Sequence, residues 1–131
     1  DGAPPFFNTD YRFTLAGGLI SARQVIVAIL RDLEKGVPAR IIALKFHEAL
    51  ARIMAETARA AAGKYHLDRV VLSGGVFQNL YLSRRCAEIL ESCGLKVYTH
   101  SQVPCNDAGI ALGQVAVGLW RGFDGGNKNC V

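Results

Sequence analysis

The residues best suited to chemistry fall in two short glycine-containing segments. The first, residues 73–79, reads SGGVFQN and follows a run of β-branched residues. Paired glycines let a backbone pass close to a ligand, and the amides at a helix start attract an anion. Gly74 and Gly75 therefore predict a phosphate contact, and the Asn79 amide suits a ribose hydroxyl or a base edge. Tight packing of the strand on the helix would explain a Gly-Gly turn about as often.

The second segment, residues 103–109, reads VPCNDAG and contains one carboxylate, Asp107. An Asp at the mouth of a strand suits a metal ligand or a bridge between metal and phosphate. It could equally do no more than place a negative charge at a helix N-terminus, which contributes a few tenths to about 1 kcal/mol. The spacing of residues alone favours neither of these two roles for Asp107. Gly109 costs a helix roughly 1 kcal/mol relative to alanine, which indicates the close approach of another group.

Each segment needs a strand before it and a helix after it to hold its residues in place. The expected elements alternate in this way: strand 68–73, helix 79–92, strand 95–99 and helix 106–121. The strands are short runs rich in β-branched residues, whereas the helices repeat apolar residues at helical spacing. Two further helical patterns precede them, of which the second is the longest in the chain. Ser21 is the expected N-cap of the first, and the second begins at Pro38 and is expected to end before Gly63.

Alternating strands and helices after two helices are typical of an α/β fold with parallel strands. In such sheets ligands bind where the carboxyl ends of strands meet helix N-termini. The two segments should therefore face one crevice, which predicts a nucleotide–metal site. We expect a single domain over residues 1–131, irregular over 1–16 and 122–131, with a short strand at residues 11–15 closed by a glycine pair.

Composition narrows the class of protein. The chain has 131 residues, half of them apolar and about a fifth charged, with a net charge of +4, which is typical of a folded domain. Its basic residues are scattered among acids, which argues against a nucleic-acid surface. No apolar stretch reaches the roughly 18 residues of a membrane span. With four cysteines, no C-x-x-C pair and no signal peptide, we expect reduced thiols in the cytoplasm. Because the chain does not begin with Met, we expect a piece of a longer protein.

The two segments also carry a family resemblance. Residues 72–79 and 103–114 resemble the C-terminal signature of the [NiFe]-hydrogenase maturation carbamoyltransferases, the HypF family, and residues 43–51 (ALKFHEALA) are similar to a helix of that family. The resemblance spans about residues 17–122. The tRNA threonylcarbamoyl-transferases share a looser version of the pattern, with Gly-Gly-Val and a later Asp. The letters FQN and GQ in this chain favour the hydrogenase family.

The resemblance implies the C-terminal of two ribonuclease-H-like lobes in an actin/hexokinase-like (ASKHA) domain, with helices packed on a small, mainly parallel sheet. That family makes carbamoyl-adenylate from ATP and carbamoyl phosphate. It passes the carbamoyl group to the C-terminal cysteine of HypE, where the group becomes a cyanide ligand precursor. The resemblance implies that Gly74, Gly75 and Asn79 line ATP with Mg. It further implies that Asp107 binds a divalent metal, Fe or Zn, shared with the other lobe.

The family's metal-binding histidines belong to that other lobe, so the isolated piece should be inactive. No H-x-x-x-H pair occurs in this chain. His47 is interpreted as a structural or supporting group rather than a ligand, His100 follows a strand end, and no general base can be assigned. Two alternatives remain open. One is a lobe of a tRNA threonylcarbamoyl-transferase-like enzyme, and the other is a non-catalytic docking lobe whose exposed apolar surface favours a homodimer.

Overall fold

The computed structural model describes residues 9–123. Its helices and strands are, in chain order, β1 Thr14–Ala16, β2 Leu19–Ser21, α1 Arg23–Glu34, α2 Ala39–Tyr65, β3 Arg69–Leu72, α3 Leu80–Ser92, β4 Lys96–Thr99 and α4 Ile110–Phe123. Short 3-10 turns, Gly75–Gln78 and Asp107–Gly109, precede α3 and α4. The irregular ends expected from the sequence lie largely outside the described residues, although β1 and the end of α4 fall inside those ranges.

The strands that carry the two segments form a parallel pair, as predicted. β3 pairs with β4 from Arg69 opposite Lys96 to Leu72 opposite Thr99. α3 lies between them in the chain and contacts β4. The loops that lead to the two 3-10 turns therefore leave the sheet at the same end, beyond Leu72 and Thr99.

The N-terminal strand prediction needs correction. Residues 14–16, rather than 11–15, form the strand, and it pairs with a second strand, β2, in an antiparallel hairpin. Gly17 and Gly18 make the turn with φ of +58° and +80°, a backbone that two-residue hairpin turns require and that glycine adopts without strain. Tyr11 lies before this strand, and its buried side chain donates a hydrogen bond to Asp32 instead of contributing to the hairpin.

Two helix-boundary predictions are also wrong. Ser21 ends β2, and the N-cap of α1 is Ala22, which makes no side-chain hydrogen bond. The Ser21 hydroxyl still accepts from the N–H of Arg23, the first residue of α1, at 3.4 Å. Gly63 does not end α2, because packing along a 27-residue helix outweighs the roughly 1 kcal/mol that one glycine costs. The helix ends at Tyr65, and its C-cap, His66, adopts a left-handed φ of 54°. The Leu67 N–H then donates to the carbonyl of Ala62 at 2.9 Å.

The core lies on both sides of α2. Small residues on one side of this helix let α3 and β3 pack closely, forming the cluster Ala51, Ala55, Leu72, Leu82, Cys86 and Leu90. The other side packs against α1 and the N-terminal segment through Tyr11, Val25, Ile42 and Ala49. Because α2 belongs to both clusters, it fixes the position of α3, and with it the first of the two segments.

Apolar side chains on α4 are left uncovered in the described part of the chain. Each of the following is more than half exposed: Ile110, Leu112, Val115, Val117, Leu119 and Trp120. Helix α1 shows the same feature at Ile26, Leu30 and Leu33. Within residues 9–123, no helix has both the length and the apolar character that crossing a bilayer requires.

Candidate functional site

The two predicted segments meet at the carboxyl ends of β3 and β4. The backbone N–H of Gly74 donates to the carbonyl of Cys105 at 2.8 Å. One residue further on, a Cβ built on Gly75 would lie 3.9 Å from the Cβ of Asn106. The structure therefore brings together the two loops that the sequence placed at one crevice.

Gly74 shapes the first loop. Its φ of +107° and ψ of 155° lie in a region that L side chains rarely adopt, while a Cβ at this position would meet nothing within 4 Å. The backbone conformation at position 74, and not a lack of space for a side chain, therefore requires glycine. The N–H of Gly74 is used by the carbonyl of Cys105, and the space beside its Cα is open. Within residues 9–123, the N–H groups of Gly75 and Val76 have no hydrogen-bond acceptor, and Phe77 is the first residue of the turn that donates back, to the carbonyl of Gly74 at 3.1 Å.

Asn79 is held at both ends of its side-chain amide. The amide oxygen accepts from the Leu82 N–H at 3.0 Å, which makes Asn79 the N-cap of α3. The amide nitrogen lies 2.9 Å from Nε2 of His47 on α2. Asn79 directly follows the glycine turn, and these two hydrogen bonds fix the orientation of its side chain. Its contact with a nucleotide stays a prediction.

Asp107 opens the second 3-10 turn with its carboxylate exposed. The cap of this turn is Asn106, whose side-chain oxygen accepts from the Ala108 N–H at 3.1 Å. Asp107 is therefore not the cap of this turn, although it still places a negative charge in its first turn, so both interpretations of this residue stay open. The close approach indicated by Gly109 comes from the loop itself, because a Cβ there would lie 2.9 Å from the carbonyl oxygen of Pro104.

The donor set for a metal is incomplete in the part of the chain that the structure describes. Residues 9–123 contain no group of three or more His, Cys, Asp or Glu side chains placed to hold an ion. A divalent cation takes at least four ligands in proteins, of which one exposed carboxylate supplies one or two. Asp107 fits a metal only as one contributor to a site whose other ligands come from elsewhere.

Sequence reasoning missed a contact between the two strand ends. The Ser73 hydroxyl lies 2.8 Å from Nε2 of His100. Both residues directly follow the last register pair of the sheet, Leu72 opposite Thr99, so parallel pairing makes them neighbours. Aligning the two predicted strands by their ends would have found this pair. The contact places a hydroxyl and an imidazole at the carboxyl ends of β3 and β4, where the two loops begin.

A buried carboxylate between α2 and α3 was also missed. Glu48 on α2 is fully buried and accepts two hydrogen bonds from Arg85 on α3, at 2.8 and 3.0 Å, one from Arg52 at 2.8 Å and one from Tyr81 at 3.1 Å. Burial alone would raise the pKa of Glu48, but the bonds from Arg85 and Arg52 outweigh it and hold that pKa below its ordinary value. Glu48 thereby locks α3, with Asn79 at its start, onto α2.

A second ionic cluster lies on the other side of α2. Asp32 accepts from the Tyr11 hydroxyl and from Nζ of Lys45, each at 2.8 Å, and Lys45 also reaches Asp10 at 3.2 Å. Burial and the hydrogen bond to Asp32 raise the pKa of Tyr11 to about 12. The bonds from Lys45 and Tyr11 lower the pKa of Asp32. This cluster fixes the N-terminal segment and α1 against α2.

Known proteins resemble most of this chain. Residues 6–114 match the family described as "Carbamoyltransferase, Kae1-like Domain, second subdomain". The tRNA N6-adenosine threonylcarbamoyltransferase of Dictyoglomus turgidum is 30% identical over 102 residues, covering 76% of this chain and 30% of that protein. The carbamoyltransferase HypF homolog of Cupriavidus necator is 39% identical over 94 residues, covering 72% of this chain and 24% of that protein.

Solved structures give the same result. The crystal structure of full-length HypF in the phosphate- and nucleotide-bound form matches with a TM-score of 0.77 at 35% identity, covering 88% of this chain and 16% of that one. The expected α/β lobe of the ASKHA type and the resemblance carried by the two loops are both confirmed. The chain spans less than a third of the length of each of these proteins.

Proposed function

This chain belongs to the family of Kae1-like second subdomains of carbamoyltransferases, and on that premise we propose that it is the C-terminal lobe of a HypF-type enzyme. In this proposal, the complete protein uses ATP and carbamoyl phosphate to carbamoylate the C-terminal cysteine of a HypE-type acceptor during [NiFe]-hydrogenase maturation. The observation that carries the proposal is the meeting of the two loops, joined by the bond between the N–H of Gly74 and the carbonyl of Cys105.

Each site residue has a physical role in this proposal. Gly74 and Gly75 leave room for phosphates, the free amides of their turn attract the negative charge, and Asn79 bonds the nucleoside. Asp107 contributes one ligand to a divalent metal, Fe or Zn, while Mg accompanies ATP. A metal near the phosphates supplies charge neutralisation during carbamoyl transfer. Because the remaining ligands and positioning groups would come from another lobe, the 131-residue piece alone should not catalyse transfer.

A second candidate function is a lobe of a tRNA threonylcarbamoyl-transferase. The 30% identity to the Dictyoglomus turgidum protein of that name favours it. A non-catalytic docking lobe is the third candidate, and the exposed apolar side chains of α4 favour it. For each of the three we propose the cytoplasm as location, where Cys86, Cys93 and Cys105, all free thiols in the structure, would stay reduced.

One assay separates the three candidates. The purified complete protein is given either a HypE-type acceptor with ATP, Mg and carbamoyl phosphate, or unmodified tRNA with threonylcarbamoyl-adenylate. The masses of the products are measured by mass spectrometry. Carbamoylation of the acceptor cysteine, dependent on both ATP and carbamoyl phosphate, supports the HypF-type proposal. A threonylcarbamoyl adduct on tRNA, formed when threonylcarbamoyl-adenylate is supplied, would replace it with the second candidate. A protein that binds the acceptor and modifies neither substrate would favour the docking lobe.

A further inference from the structure

The geometry points to a positioning residue that the family match does not assign: we infer that His47 sets the orientation of the Asn79 amide in the nucleotide site. This inference rests on the proposed function, since it takes Asn79 as a nucleotide contact. His47 lies on α2, 32 residues before Asn79 in the chain, and its Nε2 is 2.9 Å from the Asn79 amide nitrogen.

The hydrogen bonds fix which nitrogen of His47 carries a proton. Its Nδ1 lies 2.7 Å from the carbonyl oxygen of Ala43, an acceptor, so Nδ1 must carry the hydrogen. In the neutral ring Nε2 then has a lone pair and accepts from the Asn79 amide nitrogen. The other end of the Asn79 amide agrees independently, because its oxygen accepts from the Leu82 N–H at 3.0 Å. A flipped amide would set donor against donor at Leu82 and leave Nε2 of His47 facing an oxygen.

The imidazole is itself held in place from two sides. Its ring makes edge contacts with Phe46 at a centroid distance of 5.8 Å and with Tyr81 at 6.4 Å. The Tyr81 hydroxyl in turn donates to the buried Glu48 at 3.1 Å, and Arg85 holds that carboxylate from α3. The acceptor that His47 presents to Asn79 is therefore preorganised by the packing of α2 on α3.

This arrangement leaves a defined set of groups on Asn79 for a ligand. The amide nitrogen carries two hydrogens and the oxygen two lone pairs. Within residues 9–123, His47 and Leu82 each use one of these. One N–H and one lone pair remain, in an orientation that cannot reverse without breaking both bonds. A hydroxyl can accept from the first and donate to the second, which is the chemistry that a sugar hydroxyl of a nucleotide offers.

The test compares three variants of the complete protein by ATP titration in the presence of Mg and by carbamoyl-transfer kinetics. His47→Phe keeps an aromatic ring for Phe46 and Tyr81 but removes both hydrogen-bonding nitrogens. His47→Gln restores an acceptor that can reach the Asn79 amide. Thr57→Val is the matched control, because the Thr57 hydroxyl also bonds the carbonyl four residues earlier on α2, at 2.7 Å from Ile53, away from the loop.

We expect His47→Phe to raise the Kd and the KM for ATP about fivefold to tenfold, because an Asn79 amide that is no longer oriented loses about one hydrogen bond to the nucleotide. The kcat should change less than about twofold. His47→Gln should recover most of that loss, and Thr57→Val should leave both constants unchanged. If the unaltered protein binds ATP and His47→Phe binds it equally well, or if His47→Gln is as impaired as His47→Phe, the inference is overturned while the proposed function stands. Absence of ATP binding by the unaltered protein would overturn the proposed function itself, and this inference with it.

Discussion

Gly74 donates its backbone N–H to the carbonyl of Cys105 at 2.8 Å, and this bond joins the two loops that define the site. It forms because Gly74 adopts a φ of +107°. The first loop therefore depends on a backbone conformation that other residues reach only with strain.

We expect Gly74→Ala to destabilise the fold by about 1–3 kcal/mol, since a Cβ strains this backbone although it meets no neighbouring atom. Thermal or urea unfolding measures the change. Gly113→Ala is the matched control, because Gly113 also has open space around it but lies in α4, where alanine stabilises by up to about 1 kcal/mol. Equal effects of the two substitutions would contradict a strained turn at Gly74.

Glu48 stabilises the packing of α3 on α2 through its hydrogen bonds to arginine. Replacing it by glutamine leaves Arg85 and Arg52 facing a neutral group in a buried position, which we expect to cost about 3–5 kcal/mol of unfolding free energy. Glu88→Gln is the control, because Glu88 is a partly exposed partner of Arg85 and should cost less than about 1 kcal/mol. If the two variants unfold alike, Glu48 does not lock α3 to α2.

The pH dependence follows from the same carboxylate. The pKa of Glu48 is lowered in the folded state, so its contribution is fully present above its unfolded pKa and is lost as pH falls through the folded value. Urea unfolding between about pH 6 and pH 3 should show stability falling with acid in the unaltered protein. Glu48→Gln should have a flatter profile over that window, and an unchanged slope would exclude this source of acid sensitivity.

The thiols should differ in reactivity. Cys86 is buried in the core between α2 and α3, and burial raises its pKa to about 11, whereas Cys93 is exposed at the end of α3. Because the thiolate is the reactive form, we expect an alkylating reagent at neutral pH to modify Cys93 quickly and Cys86 only after unfolding. Peptide mapping by mass spectrometry reads out each site. Rapid labelling of Cys86 in the native protein would contradict the packing of α3 on α2.

The uncovered face of α4 should drive self-association of the 131-residue piece. Exposed apolar patches of this kind mark interaction surfaces, so we expect concentration-dependent dimers by light scattering. Replacing Leu112 and Leu119 together by glutamate should leave a monomer with an unchanged circular dichroism spectrum. Persisting dimers in that variant would place the association elsewhere, with the exposed Leu30 on α1 as the next position to test.

The sequence predicted the site-bearing half of the fold closely because its signals are local. A β-branched run followed by two glycines marked β3 and the turn after it, and the start of α3 was expected at Asn79, which is its N-cap. The hairpin strand β2 escaped notice because three residues beside a helix start carry no alternating pattern. The prediction that Gly63 ends α2 was wrong because local helix propensity takes no account of packing, which keeps the chain helical past this residue.

The contacts that orient the site could not be read from local patterns. Glu48 meets Arg85 across 37 residues, and His47 meets Asn79 across 32. Such pairs appear only once α2 packs on α3, and the spacing of residues within one helix does not specify a partner on another. The two-loop prediction succeeded for a different reason: parallel strands place their carboxyl ends at one edge whatever their side chains do.

The most direct test of the shared nucleotide–metal site is Asp107→Ala in the complete protein. Metal content and ATP- and carbamoyl-phosphate-dependent carbamoylation of the HypE-type cysteine are measured together. Asp68→Ala serves as control, because Asp68 is an exposed carboxylate that precedes β3 and pairs with Arg69 and Lys96. We expect Asp107→Ala to lose both metal and transfer with its fold intact, and Asp68→Ala to retain both. Unchanged metal and unchanged transfer in Asp107→Ala would reduce this residue to a charge at a helix start and contradict the site described here.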